Sequence, residues 1–512
     1  MTTADSPVKF PAPSIGFPYR IVALTTVGLF VPPVALLWLW LDRRWSKVVR
    51  VAGSLGAVVW TLLWLHLVVG VTVEFSGDAR AWRVVVRNPW LETLRFAQRP
   101  AARAHAVRGP LPEVRSLPAP AWPEFRGSRR LGIVTEIAHL EPWPKRGLPQ
   151  VWKTAVGGGY ASMVIGYGRL YTIEQRGFDE AVVCYDAGTG EELWAYRYRA
   201  RFEEALGGPG PRATPTLADG KLYALGAEGD LTCLDALSGR LYWRRNILED
   251  SGGENLRWGM AGSPLVVDGQ VIVTPGGPGN WLLAAYDAAS GELLWHNGSD
   301  RPGYSSPALE TIAGVRQIVL FSATRVGGYA LEGGEPLWEF TWHTNEGINV
   351  HQPIVFDDGR VFISSDYGVG CAMLRVQRGE DGKFRVQQLW KNRWLKAKFS
   401  SSVVRDGYVY GLDGPIMVCL ELETGKRMWK GGRYGFGQLI LVGDCVVVLT
   451  ERGELVQVLA TPEGHRELAR FQAIEGKTWN HPAVANGLLY VRNEQEMACY
   501  RLFDSPAQRS GR

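Results

Sequence analysis

One short motif recurs through the last two thirds of the chain and limits what it can fold into. CYDAGTGEELW ends at Trp194, CLDALSGRLYW at Trp243, AYDAASGELLW at Trp295 and CLELETGKRMW at Trp429. Weaker copies end at Trp338 (LEGGEPLW) and Trp390 (RVQQLW), and Phe471 of HRELARF takes the same place. Successive tryptophans lie 39 to 52 residues apart, the range of propeller blades and solenoid repeats. A unit of this size cannot bury both its faces alone, so the copies must stack.

Within one unit, TPTLADGKLYALGAEGDLTCLDALSGRLYW shows apolar alternation broken at Asp219-Gly220, at GAEGD and at Ser238-Gly239. Asp268-Gly269, Asp358-Gly359, Asp406-Gly407 and Asn486-Gly487 repeat the first break, and such pairs supply the positive φ of two-residue hairpins. Each unit is therefore expected to be a four-stranded meander, and radial stacking leaves only short edges. Eight first strands start at Ala161, Ala213, Gly262, Ser305, His351, Ser400, Gly437 and Asn480, but only seven fourth strands follow them. QVWKTAV around Trp152 has the missing character, so the sequence predicts an all-β, eight-bladed propeller over residues 150–503, closed by its own beginning.

The repeated residues read as structural. Trp152, Trp194, Trp243, Trp295, Trp338, Trp390 and Trp429 each present a flat ring to the next blade. Asp186, Asp235 and Asp287 precede turns whose N–H groups a carboxylate can accept. Cys184, Cys233 and Cys419 stand ten residues before a blade tryptophan, where Ala285 replaces them, so the position calls for a small buried residue. Cys371, Cys445 and Cys499 also fall in strand-like runs, and no spacing among the six selects a disulfide pairing or a metal site.

The N-terminal part is different in kind. Residues 21–40 and 51–71 lack Asp, Glu, Lys and Arg, and each matches the ~20 residues of a membrane-spanning helix. The expectation is a transmembrane hairpin over 21–71, after an N-terminal tail of residues 1–20. No small-residue cleavage site follows the first stretch, and no cysteine precedes Cys184 to accept a lipid. Arg43, Arg44, Lys47 and Arg50 between the stretches place that loop in the cytoplasm and the rest outside, as a multi-pass inner-membrane protein with a periplasmic propeller. His66, in the second stretch near Trp60 and Trp64, reads as interfacial. Residues 72–149 are assigned to a juxtamembrane segment, with a short amphipathic helix in NPWLETLRFAQ, and a Pro/Ala/Arg-rich linker; residues 504–512 are assigned to a disordered tail. A net charge of +5, spread along the chain, points away from nucleic acid.

The ending x-D-x-x-[ST]-G-x-x-x-W resembles the pyrroloquinoline-quinone (PQQ) repeat with its tryptophan-docking motif, over nearly all of residues 150–503. WPEFRG at 122–127, WGMAGSPLVVDGQVIVTPGG at 258–277 and GKTWNHPAVANGLLYVRN at 476–493 are similar to bacterial PQQ-like propellers grouped with the outer-membrane-barrel assembly scaffold. The resemblance implies the fold and leaves two activities open. Its dehydrogenase members combine an aspartate base, a calcium held by acidic and amide side chains, and commonly a disulfide between adjacent cysteines. This chain has no adjacent cysteines, and no Glu, Asn and Asp set matches the calcium site. The scaffold members are lipoproteins without a transmembrane hairpin, and the chain departs from them there.

First strands line a propeller axis, so residues at their starts converge on one mouth. Trp258, Tyr304, His351, Gln352, Lys398, Tyr434, Gln438, Trp479, Asn480 and His481 stand at or near those starts. They are the candidate ligand-binding set, with aromatic rings for stacking and Lys398 for charge, against the alternative that they satisfy backbone groups. His351 and His481 are the candidates for a base or ligand. The loops at 195–212 and 244–261 are the longest nearby. The leading expectation is a non-catalytic binding module for a cell-envelope protein, with no cofactor and no metal. The alternative is a PQQ- and calcium-dependent dehydrogenase passing electrons to the membrane, and a small-molecule sensor is also compatible.

Overall fold

The computed structural model describes residues 40–41, 45–77, 82–97 and 119–504. The chain divides into a small N-terminal unit and a large unit comprising residues 74–82 and 90–512.

In the small unit, helix α1 (Lys47–Trp64) is capped by Ser46, whose hydroxyl accepts the Val49 N–H at 3.3 Å. A π-helical turn, Leu65–Val69, continues it to Gly70, whose φ of 80° ends the helix. The span Lys47–Leu67 is long and apolar enough to cross a membrane, and none of α1 is buried against protein. Among the described residues it is the only such helix, so the two-span expectation is not met there. Residues 21–39 of the first apolar stretch lie outside the described residues. The expected loop is also shorter, because the Ser46 cap starts the helix early and puts Lys47 and Arg50 in its first turn. His66 Nδ1 lies 3.1 Å from the Val71 carbonyl. Strands β1 (Val71–Phe75) and β2 (Trp82–Val86) then pair as a hairpin.

The large unit is a ring of eight antiparallel sheets: blades 1 to 7 occupy residues 164–199, 216–246, 265–297, 308–341, 354–392, 403–433 and 438–472, and blade 8 combines 483–501 with Gln150–Ala155. Trp152 pairs with Cys499, so the first strand of the ring completes its last blade. First strands touch between blades 8 and 1, 1 and 2, 2 and 3, 3 and 4, and 6 and 7, which makes them the inner strands of the ring.

Seven of the eight blades place a small or slender residue opposite a tryptophan: Cys184 faces Trp194, Cys233 faces Trp243, Ala285 faces Trp295, Gly328 faces Trp338, Met373 faces Trp390, Cys419 faces Trp429 and Cys499 faces Trp152, while in blade 7 Leu455 faces Phe471. The register slips by one residue just beyond this pair in all seven, a bulge that tilts the indole toward the next blade. There, the Trp152 Nε1–H donates to Ala187 O at 3.0 Å, and Trp194, Trp390 and Trp429 make the equivalent bonds to Ala236, Leu422 and Thr461. The ring also covers the glycine of the neighbouring turn. Gly190 has φ 74°, and a Cβ on it would lie 2.6 Å from the Trp152 ring, so backbone and packing both demand glycine. The cysteines are therefore core residues: all six are free and buried, and burial pushes their thiols up to about 12.

The ordered propeller unit takes in residues assigned from composition to the linker. Helix α2 (Pro89–Ala97) buries Phe96, over which the Arg176 guanidinium stacks at 4.6 Å. From residue 120 the chain is packed into the ring: Trp122, Leu140, Trp143 and Leu148 join the core of blades 1, 7 and 8. Ile133–Val134 adds a fifth, parallel strand to blade 7. These apolar anchors lie close in sequence to the prolines that give the segment its linker-like composition, and composition alone does not separate them.

Candidate functional site

The first strands leave an axial channel, and the chain fills it with its own residues 122–134. Trp122 exchanges two backbone bonds with Ile165 of blade 1, and Pro123 O accepts from Leu217 of blade 2. Arg130 donates to Ser263 O and Pro264 O of blade 3, and Arg129 pairs with Glu310 of blade 4 at 3.1 Å. Arg126 donates to Ser401 O and Ser402 O of blade 6, to Arg130 O and Leu131 O of its own segment, and meets His481 Nε2 of blade 8 at 2.8 Å. Gly132 O accepts from Leu441 of blade 7. The plug thus binds seven of the eight blades. Arg126 is 2% exposed and its partners are carbonyls and an imidazole rather than a carboxylate; desolvation lowers its pKa to about 9, so it stays charged at neutral pH.

Above the plug, a belt of side chains joins blade to blade. Ser162 N–H donates to Thr214 Oγ1, Thr214 N–H to Ser263 Oγ, Ser263 N–H to Ser306 Oγ, Ser306 N–H to Gln352 Oε1, and Gln352 N–H to Ser401 Oγ. At the seam, Asn480 Nδ2 donates to Gly159 O and Ala161 O. His351 Nε2 accepts the Ser402 N–H at 3.0 Å. His351, Gln352 and Asn480 are consequently buried joints and do not line the mouth. Tyr434 is buried away from it, its hydroxyl bonded to His465 and Glu467.

The other six candidates converge. Trp258, Tyr304, Lys398, Gln438, Trp479 and His481 line one basin of about 470 Å³, whose walls also include Phe125, Tyr160, Tyr367 and Phe399. The rings brace one another: Trp258 meets Tyr304 edge-on at 5.7 Å, and Trp479 lies 4.8 Å from Phe399 and 5.2 Å from Tyr160. Arg257 stacks on Trp258 at 4.9 Å and pairs with Glu346 at 2.7 Å, and Arg212 is held by Glu204 at 3.4 Å. Lys398 stands 4.7 Å from the Phe436 ring centre. Phe125 belongs to the plug, whose linker-like surroundings in sequence hid it.

The polar groups of this basin are largely engaged within the protein. The basin serines Ser263, Ser306 and Ser401 already accept belt bonds. His481 Nε2 faces Arg126, and its Nδ1 faces Pro482 O at 3.1 Å, which fixes a neutral tautomer with no free lone pair. Burial and then the Arg126 charge hold His481 well below the usual imidazole range and His351 down at about 3, so neither titrates near neutrality. Among the described residues no group of three or more His, Cys, Asp or Glu is placed to hold a metal, and both basin carboxylates are engaged by arginines. The basin's donor set therefore does not match a calcium site built from acidic and amide side chains.

A family model described as outer membrane protein assembly factor BamB matches residues 149–246 and 178–431, more than half of the chain. BamB of Bordetella pertussis is 25% identical over 363 residues, covering 67% of this chain and 84% of that protein. Quinohemoprotein alcohol dehydrogenase ADH IIB of Pseudomonas putida is 31% identical over 124 residues, which is 22% of this chain and 17% of that enzyme. The crystal structure of BamB from Moraxella catarrhalis superposes with a TM-score of 0.52 at 16% identity, over 69% of this chain and 99% of that one. Similarity at that level establishes the fold, and the repeat, the docked tryptophans and the matched span agree with it: the chain belongs to the PQQ-repeat propeller family of the outer membrane protein assembly factor BamB.

Proposed function

We propose that this protein is a membrane-anchored, extracytoplasmic scaffold that holds a cell-envelope protein at the aromatic basin without performing chemistry. The observation that carries the reading is the sealed floor. The plug turns an axial channel into a dead-ended basin walled by aromatic rings and by arginines, and such surfaces anchor protein partners. The apolar helix Lys47–Leu67 supports membrane attachment, and the charges at residues 43–50 favour a second span before it with the propeller outside. An envelope role is supported by the family model and by the relatives named as outer membrane protein assembly factors.

A photo-crosslinking amino acid at Tyr304 of the full chain, in native membranes, tests this. A discrete adduct with one protein, recovered in stoichiometric amount from detergent extracts, is expected. A chain that yields no adduct and elutes without a partner would remove the reading. The dehydrogenase alternative has local sequence similarity in its favour, but the basin lacks the donors. Purified protein given PQQ and calcium is expected to bind no chromophore and reduce no dye.

A further inference from the structure

The rim of the basin holds a piece of the chain itself. Residues 74–77 (Glu-Phe-Ser-Gly) lie on the propeller, and Ser76 and Gly77 form part of the basin wall. Three contacts fix them. The Glu74 carboxylate, 2% exposed, pairs with Lys477 Nζ at 3.4 Å, and Lys477 itself is 5% exposed and stacks 4.4 Å from the Trp479 ring centre. The Gly77 N–H donates to Glu451 Oε1 at 2.7 Å, on the same oxygen that accepts the Trp479 indole N–H at 3.0 Å. The Gly77 carbonyl accepts from Lys398 Nζ at 2.7 Å. A Cβ at residue 77 would stand 2.3 Å from the Phe436 ring, so only glycine comes this close.

The rim therefore reads one acidic side chain, then both main-chain polar groups of the residue three positions later, against a ring that excludes a side chain there. Main-chain recognition of this kind does not depend on which polypeptide supplies the strand. We propose that Lys398, Phe436, Glu451 and Lys477 form a binding site for an extended peptide with an acidic residue three positions before a glycine, and that residues 74–77 occupy it in cis until a partner's segment displaces them. The second half of this rests on the protein-docking reading of the basin; the first half does not. Lys477 Nζ also donates to Leu206 O at 2.8 Å and Gly207 O at 3.3 Å, which hold it at the rim whether or not Glu74 is there, so release of residues 74–77 opens the carboxylate's place beside it and bares Lys398 beside the aromatic wall.

The probe is a fluorescent peptide copying residues 72–77, acetylated and amidated at its ends, titrated into the full-length chain in detergent. Gly77→Val clears the cis occupant, and that chain is expected to bind the peptide at least tenfold tighter than wild type. Binding should be lost when the peptide carries lysine for glutamate or valine for glycine, or when the chain also carries Lys477→Met. Ser76→Cys labelled with an environment-sensitive dye gives a second readout that does not depend on the folding of Gly77→Val: excess peptide should shift its emission, and the glutamate-to-lysine peptide should not. Equal affinity for wild type and Gly77→Val, or binding indifferent to both peptide changes, or an unmoved dye at saturating peptide, overturns the proposal. A captured partner at Tyr304 with no peptide binding sinks only this inference, whereas peptide binding with no captured partner sinks the scaffold reading and the displacement by a partner and leaves the peptide site standing.

Discussion

Two structures tie the blades together, the outer circle of docked tryptophans and the axial plug, and they do it in opposite ways. Five of the seven tryptophans repeat one local rule, indole to a carbonyl of the next blade, while Trp295 and Trp338 turn the indole to a glutamine of their own blade, so no tryptophan bond reaches beyond a neighbour. The plug is a single segment with no repeat, and Arg126 and Arg130 alone bond to blades 3, 6 and 8. A periodic contact contributes one interface at a time, as in any repeat array. A central contact couples distant blades at once. Loss of the plug should therefore cost more, and more cooperatively, than loss of any one tryptophan.

Arg126→Ala breaks the comparison at its strongest point. It strands carbonyls of Arg130, Leu131, Ser401 and Ser402 in a buried site, and at about 1–3 kcal/mol for each unsatisfied group the loss should be at least about 4 kcal/mol. Arg126→Lys should recover only a small part, because one ammonium has three donors for five acceptors. Guanidinium chloride unfolding checks both. A change under about 1 kcal/mol for the alanine variant would show that the plug is an accessory to a self-sufficient ring.

Trp152→Ala tests the periodic side where it closes the circle. The side chain is 8% exposed and covers Gly190, so truncation should cost about 3–4 kcal/mol, the usual range for a buried tryptophan. The transition should also broaden as the seam between blades 8 and 1 opens. An equal loss from Trp338→Ala, whose indole bonds within its own blade to Gln317, would mean that ring burial outweighs docking.

The same contrast explains what could be read from the sequence. The eight blades, their turns and the closing strand were legible because each follows a rule stated several times along the chain, and Trp152 was found by counting strands. The plug was not, because its residues occur once and stand beside proline-rich chain; the FRG of its WPEFRG segment carried a family likeness but no physical signal of where Arg126 would go. Six of the ten mouth candidates line the basin. His351, Gln352 and Asn480 lie outside the basin for a geometric reason: they share the level of the first-strand starts with Trp479 and His481, but their side chains turn toward the neighbouring blade and serve the belt. Sequence position gives the level around the axis and not that direction.

Glu180 sharpens the comparison through pH. It lies in blade 1, fully buried, accepting bonds from Tyr198 and from Ala227 of blade 2, and desolvation raises its pKa from 4.5 to about 7. Its folded-state value lies above its unfolded one. The protonated form is therefore fully compatible with folding below about pH 4.5, and stability is lost as the pH rises toward 7, by up to about 3 kcal/mol. Glu180→Gln should remove that slope in thermal unfolding between pH 4.5 and 7.5. An unchanged slope would show that Glu180 is not the group holding this interface.

The smallest effect on stability is expected in the basin, where the two kinds of tie both stop. Trp258 and Tyr304 pack on each other and on Arg257, and the bond Tyr304 gives the loop entering blade 5, to Asn349 O, is made by its backbone N–H and does not depend on the ring. Replacing both with alanine should change unfolding by about 1 kcal/mol or less, far below Arg126→Ala, because partly exposed rings return little burial on folding. Recovery of a membrane partner should nonetheless fall at least tenfold, since truncating two aromatic anchors removes the residues that dominate such interfaces. A double variant that unfolds as readily as Trp152→Ala, or that captures its partner undiminished, would place these rings in the framework and move the docking surface elsewhere. Stability and capture have to separate in this pair, because a basin sealed by the plug and belt below it is free to present its aromatic wall outward.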